Sequence, residues 1–145
     1  MNWKTASLIA LVVLVACIWW LFLSKSIFGA SATTITIQVL AISLMIWARV
    51  TFGMRSFHAA ANPTAGGLVR RGPYKYIRHP IYAAILYFLW AGIAAHASLA
   101  SVGAGLLASA MTALRMAAEE KLLVQTYPEY EEYARTTRRV VPFLL

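Results

Sequence analysis

The residues able to carry chemistry gather in two short segments. The first is Gly72–Tyr82, reading GPYKYIRHPIY. Gly66-Gly67 and Gly72-Pro73 are turn signals before and at its start. Pro80 directly precedes an apolar run, and proline is favoured at the first position of a helix, so a helix is expected to begin there. The main-chain amides of Ile81, Tyr82 and Ala83 would then point outward, and a helix start of that kind holds anions such as a carboxylate. Tyr74 and Tyr82 add flat rings and hydroxyls, and His79 adds a ring that can donate or accept. The second segment is Arg115 with Glu119 and Glu120. Arg115 and Glu119 are four residues apart, on one helix face. They read either as a plain ion pair, in the weaker order with the base first, or as an anion holder beside an acidic group. The basic residues Arg70, Arg71, Lys75 and Arg78 also suit a loop resting on anionic lipid. That plainer reading leaves the paired turns, the tyrosines and the His-Pro step unexplained.

The elements that must position these residues are apolar. Of 145 residues, 61% are hydrophobic and 12% charged, against about 45–50% and about 25% in soluble domains. Four stretches stand out: Thr5–Leu23, Thr34–Phe52, Ile81–Ala95 and Leu99–Met116. About 20 apolar residues span a bilayer and about 17 are tolerated. The first run exceeds the apolar core of a cleaved signal peptide, about 7–15 residues, although Ala30-Ser31-Ala32 resembles a cleavage site. The expected fold is an all-α integral membrane protein, one domain over residues 1–145. It has about four transmembrane helices, near residues 5–23, 34–55, 80–95 and 98–125. The last two form a tight hairpin through His96-Ala97-Ser98, and the third is short for a full crossing. Gly103, Gly105, Ala108, Ser109 and Ala113 suit close helix packing in lipid.

The chain carries 13 Lys+Arg against 5 Asp+Glu. In a soluble protein that excess would suggest nucleic acid. Here the basic residues flank lipid-length runs, so the expected partner is the bilayer and not a nucleic acid. Arg55, Arg70, Arg71, Lys75 and Arg78 lie between the second and third runs, and Lys121, Arg135, Arg138 and Arg139 follow the fourth. The positive-inside rule places both segments, both termini and the candidate site in the cytoplasm. Thr126-Tyr127-Pro128-Glu129 reads as a capping box opening an amphipathic cytoplasmic helix over about residues 127–139. Cys17 is the sole cysteine, so no internal disulfide forms. His58, His79 and His96 lie far apart, and the spacing offers no metal site.

The run Leu68-Val69…Gly72-Pro73-Tyr74…Arg78-His79-Pro80-Ile81-Tyr82 resembles the signature of isoprenylcysteine carboxyl methyltransferases and the related phospholipid methyltransferases. The likeness continues in Arg115…Glu119-Glu120, Tyr130…Tyr133 and Arg139…Pro142, over roughly the C-terminal two-thirds of the chain. The resemblance implies a membrane-embedded methyltransferase that uses S-adenosyl-L-methionine without a soluble dinucleotide-type domain, and no G-x-G-x-x-G occurs here. It implies that Leu68 and Val69 line the cofactor site and that Tyr74, His79, Pro80, Ile81 and Tyr82 contact the cofactor. It further implies that Glu119 holds the cofactor's polar groups and that Arg115 meets the acceptor carboxylate. The acceptor implied is lipid-like, of the isoprenylcysteine type. A phospholipid headgroup amine is the second enzymatic reading, and a lipid-binding scaffold without activity is the reading from another class. The chain departs from the family pattern in three places. Gly66 stands where a histidine often precedes Leu-Val, the N-terminal apolar part is shorter than in eukaryotic members, and Tyr-Pro-Glu replaces a Phe-Gly element.

Overall fold

The computed structural model describes residues 2–53 and 67–141. The expected end of the second helix at residues 54–55, His58, Gly66 and Pro142 lie outside the described residues. Five α-helices follow in order: α1 (Trp3–Leu23), α2 (Ala32–Phe52), α3 (Pro80–Ala95), α4 (Leu99–Thr126) and α5 (Tyr130–Thr136). A short 3-10 helix, Gly72–Lys75, precedes α3. The described residues contain no strand, only one isolated parallel bridge between Ile77 and Arg138. Three helices, α1, α2 and α4, are long and apolar enough to cross a membrane. The fourth apolar helix, α3, has 16 residues, a length of about 24 Å beside a hydrocarbon core of about 30 Å.

The burial pattern explains why these runs pack as they do. In α1 the buried residues are Ser7, Ala10, Leu14, Cys17 and Leu21, alternately three and four apart, which makes one narrow stripe. Leu8, Ile9, Val12, Val15 and Trp19 on the other faces are exposed, as suits a helix with lipid around it. The matching stripe on α4 is Ser101, Gly105, Ala108, Thr112 and Arg115. α1 packs chiefly on α4, and α2 chiefly on α3. Leu14, Cys17, Leu21, Ile27, Leu89, Ile93 and Ala108 form the core where these pairs meet.

α3 and α4 run antiparallel. A Cβ on Gly105 would fall 2.6 Å from Ile93 Cδ1, and Trp90 Nε1 donates to Ser109 Oγ at 3.1 Å. Towards the opposite end of the pair, Arg115 Nε donates to Tyr82 Oη at 3.0 Å. Not every small residue of α4 serves this packing: Gly103 has open space where a Cβ would be, and Ala113 is exposed. Both turns into long helices are capped. Ser31 with Thr34 opens α2 and Ser98 with Ser101 opens α4, each as a reciprocal capping box, which satisfies amide donors that the helix leaves over.

The C-terminal region differs from expectation. Thr126 does not cap a new helix. It is the last residue of α4, and its hydroxyl donates back to Leu122 O at 2.9 Å. α5 is shorter than the expected 127–139, and Glu129 precedes it with no side-chain cap. The chain leaves the helix at Thr137 because residues 138–139 pair with the loop before α3.

Candidate active site

The loop before α3 is held from several sides. Gly72 has φ +58°, and a Cβ there would fall 2.5 Å from Thr51 Oγ1 on α2, so the position requires glycine. The following 3-10 turn buries Tyr74, whose ring lies 5.4 Å from that of Phe52. Tyr133 Oη on α5 donates to Tyr74 O at 2.6 Å. Residues 137–141 then run alongside as a strap. Arg78 N donates to Arg138 O at 2.6 Å, His79 N to Arg139 O at 3.0 Å, and Arg138 N to Tyr76 O at 3.2 Å. The Arg78 guanidinium reaches Ala134 O at 2.7 Å and Thr137 O at 2.5 Å. Tyr87 Oη on α3 closes the set on Val140 O at 2.6 Å.

Inside this frame, a carbonyl of α1 and side chains of α3, α4, the loop before α3 and the strap form one polar chain. It starts where Arg115 Nη1 donates to Ser7 O at 2.8 Å. Arg115 Nε bonds Tyr82 Oη, which in turn donates to Glu119 Oε1. Glu119 Oε2 lies 3.8 Å from His79 Nδ1, and His79 Nε2 lies 3.1 Å from Glu120 Oε1. Glu120 finishes the line by accepting from Arg78 Nε at 3.1 Å and Arg139 Nη2 at 2.8 Å. His79 is 6% and Arg115 4% exposed, so the middle of the chain is shielded from bulk solvent and its charges act at reduced screening, while Arg139 at its end is 55% exposed. The Arg115–Glu119 ion pair foreseen from the spacing is a long contact, 3.9 Å. The Tyr82 hydroxyl sits between the two groups and bonds both.

Of the residues singled out from the sequence, Tyr82, His79, Arg115 and Glu119 meet in this chain, with Pro80 and Ile81 forming the helix start beside them. Tyr74 packs alongside, against Phe52. Leu68 and Val69 are half-buried on the approach to the 3-10 turn. Ala83 differs from expectation: its amide donates to His79 O at 2.9 Å. The amides of Ile81 and Tyr82 are therefore the ones left at the helix start, because Pro80 has none and the His79 amide is taken by the strap.

Several roles were not assigned from the sequence. Glu120, and not Glu119, is the hub of the ion pairs. Arg78, which suited a lipid anchor, points into the protein. Ser7 supplies a carbonyl from α1, and nothing in its local sequence signals that. Tyr130 on α5 is 2% exposed. Ser7 Oγ and Tyr130 Oη are the two buried side-chain polar atoms without a partner among the described residues. Burial pushes the Tyr130 hydroxyl well above the usual phenol range, and the nearby Glu120 charge adds to the effect. Burial likewise pushes Tyr133 up to about 12. Both phenols keep their protons at neutral pH and act as O–H donors. The hydrogen bond to Glu120 raises the Arg139 guanidinium further.

A second feature lies within the apolar layer, on the face of α3 turned to α1 and α2. A cavity of about 230 Å³ lies between α1, α2 and α3, lined by Ile18, Ala41, Met45, Ala84, Ile85 and Phe88 among others, all apolar. Its α3 wall begins at Ala84, two residues beyond Tyr82.

No match was found among curated proteins or among solved structures. The family model of the isoprenylcysteine carboxyl methyltransferase (ICMT) family matches residues 33–125. That range takes in α2, the Gly72–Tyr82 loop, α3 and nearly all of α4, and so all of the polar chain except Ser7 and Arg139. More than half of the chain lies within it, and this membrane protein belongs to the isoprenylcysteine carboxyl methyltransferase family.

Proposed function

We propose that the protein transfers a methyl group from S-adenosylmethionine to the carboxylate of a lipid-like, isoprenylcysteine-type acceptor. The observation that carries this reading is the convergence of His79, Tyr82, Arg115 and Glu119 on one end of the helix bundle, within the family-matched segment. The cofactor, when bound, supplies a methyl group made electrophilic by a sulfonium. The residues present fit such a group. The amides of Ile81 and Tyr82 can take a carboxylate at the start of α3. Glu119 Oε2, 3.8 Å from His79 Nδ1, can take a cation.

An acceptor carboxylate, with an ordinary pKa near 4, is already ionised and needs no base. The protein then has to align the two reactants and exclude water. Arg115 would hold the acceptor carboxylate through its planar donors. Tyr82 fixes Arg115 and Glu119 relative to each other, which keeps the anion holder and the cation holder apart by a set distance. The apolar cavity beside α3 suits the greasy part of the acceptor. The site and both ends of the chain would face the cytoplasm, as the distribution of Lys and Arg requires, with all four apolar helices crossing.

The test is methyl transfer from labelled cofactor to a panel of prenylcysteine acids and phosphatidylethanolamines in detergent or vesicles. Label should appear on the acids as a base-labile ester. Label confined to the phosphatidylethanolamine amines would replace the carboxylate reading with the headgroup one. No transfer to any member would contradict methylation of either acceptor class.

A further inference from the structure

The Tyr130 hydroxyl is a buried group that the site described so far does not use. Tyr130 opens α5, and its ring lies 5.9 Å from that of Tyr133 in an edge-on contact. The neighbouring tyrosine shows how a phenol is settled here, since Tyr133 Oη has Tyr74 O as its acceptor. Tyr130 Oη has no partner. A buried polar atom left unpaired is costly, and phenylalanine would fill the same space without it. Packing therefore does not account for the hydroxyl.

Its surroundings do. Tyr130 lies one helical turn before Ala134, whose carbonyl takes the Arg78 guanidinium at 2.7 Å while Arg78 Nε bonds Glu120 at 3.1 Å, which puts it on the side of the site next to the loop that opens α3. Two other capacities are unspent at that place: the amides of Ile81 and Tyr82, and Glu119 Oε2. Two N–H donors, a carboxylate oxygen and a neutral hydroxyl together match a zwitterionic amino acid. The amides suit its carboxylate, the carboxylate oxygen suits its ammonium, and the hydroxyl can serve either.

We propose that Tyr130 is a cofactor contact, its hydroxyl hydrogen-bonding the amino-acid end of the sulfonium cofactor at the start of α3. The proposal rests on the methyltransferase reading above. Contact requires a local shift of the side chains that cover the hydroxyl, and no bond is made or broken in it. Only binding changes.

The experiment is calorimetry of the full chain in detergent, wild type against Tyr130→Phe. The probes are S-adenosylhomocysteine and 5′-methylthioadenosine, which lacks the amino-acid end. The variant should bind S-adenosylhomocysteine about tenfold more weakly, keep its affinity for methylthioadenosine, and melt no lower than wild type without ligand. Tyr133→Phe, which breaks a settled contact, should lower the melting temperature and weaken both probes alike. Equal S-adenosylhomocysteine affinity in wild type and Tyr130→Phe would overturn the proposal. Equal losses for both probes, or a Tyr130→Phe chain that does not fold, would do so as well, by showing a structural role. If wild type binds neither probe, the methyltransferase reading falls along with it.

Discussion

Polar groups interrupt the apolar bundle at both ends, and the two clusters are built differently. At the end away from the site, Gln38 is 6% exposed. Its Nε2 donates to Ile27 O at 2.7 Å and Phe88 O at 3.1 Å, and its Oε1 accepts from Gly29 N at 2.8 Å. Gly92 lets α3 lie directly on that turn, since a Cβ there would fall 2.2 Å from Ile27 O. Every partner of Gln38 is a neutral backbone group, and its hydrogen bonds are closed on the protein itself. At the site end the groups are charged, Glu119 Oε2 has only a long contact, and two buried hydroxyls lack partners. Polarity within a membrane bundle is thus no sign of function by itself. The far cluster ties a turn to α2 and α3. The near cluster, among the described residues, leaves the Ser7 and Tyr130 hydroxyls unpaired.

This contrast can be broken by mutation. The largest expected effect is that of Arg115→Ala, which removes the guanidinium that bonds Tyr82 Oη and Ser7 O. Removing one partner of a buried pair costs about 3–5 kcal/mol, and methyl transfer should fall at least about a hundredfold. Transfer within a few-fold of wild type would remove Arg115 from the site. Next is Glu120→Ala, which leaves Arg78, Arg139 and His79 without their shared acid. It should lower the thermal midpoint and free the strap at residues 137–141, read as faster proteolysis there. An unchanged midpoint would show that Glu120 is not the hub. Gln38→Leu comes third. It should cost about 1–3 kcal/mol of stability by orphaning the Gly29 amide, with turnover per folded molecule unchanged. Folded Gln38→Leu protein without activity would erase the distinction between the two ends. The smallest effect is that of Arg139→Ala, because the side chain is 55% exposed. Its loss should cost under about 1 kcal/mol and matter less as salt rises.

Much of this architecture was legible in the sequence, and the exceptions have physical causes. Pro80 marked the start of α3 because proline at a first helical position needs no amide partner. Apolar runs of bilayer length marked α1 and α2, with Arg49 the one charge, near the end of the second. Thr126 misled because a Thr-x-x-Glu pattern carries no information about whether the preceding helix has ended; Leu122 and Leu123 continue α4 through it. The pairing of Arg78 and His79 with the strap, and of Arg115 with Ser7, joins residues far apart in sequence. No local pattern encodes such contacts. Arg78 is open to two readings for the same reason: a basic residue beside a membrane helix suits lipid equally well until Ala134 O, Thr137 O and Glu120 are seen around it. Tyr130 and Tyr133 are both buried in α5, and the family resemblance singled out both. It could not tell the one whose hydroxyl is paired from the one whose hydroxyl is not.

The central claim is that the Gly72–Tyr82 end of the bundle is a cofactor site and the Gln38 end is structural. Calorimetry with S-adenosylhomocysteine in detergent tests it directly, across wild type, His79→Ala, Glu119→Ala and Gln38→Leu. The account predicts binding by wild type, at least about tenfold weaker binding by His79→Ala and Glu119→Ala, and unchanged binding by folded Gln38→Leu. Absence of binding by wild type, or equal weakening by Gln38→Leu, would contradict it.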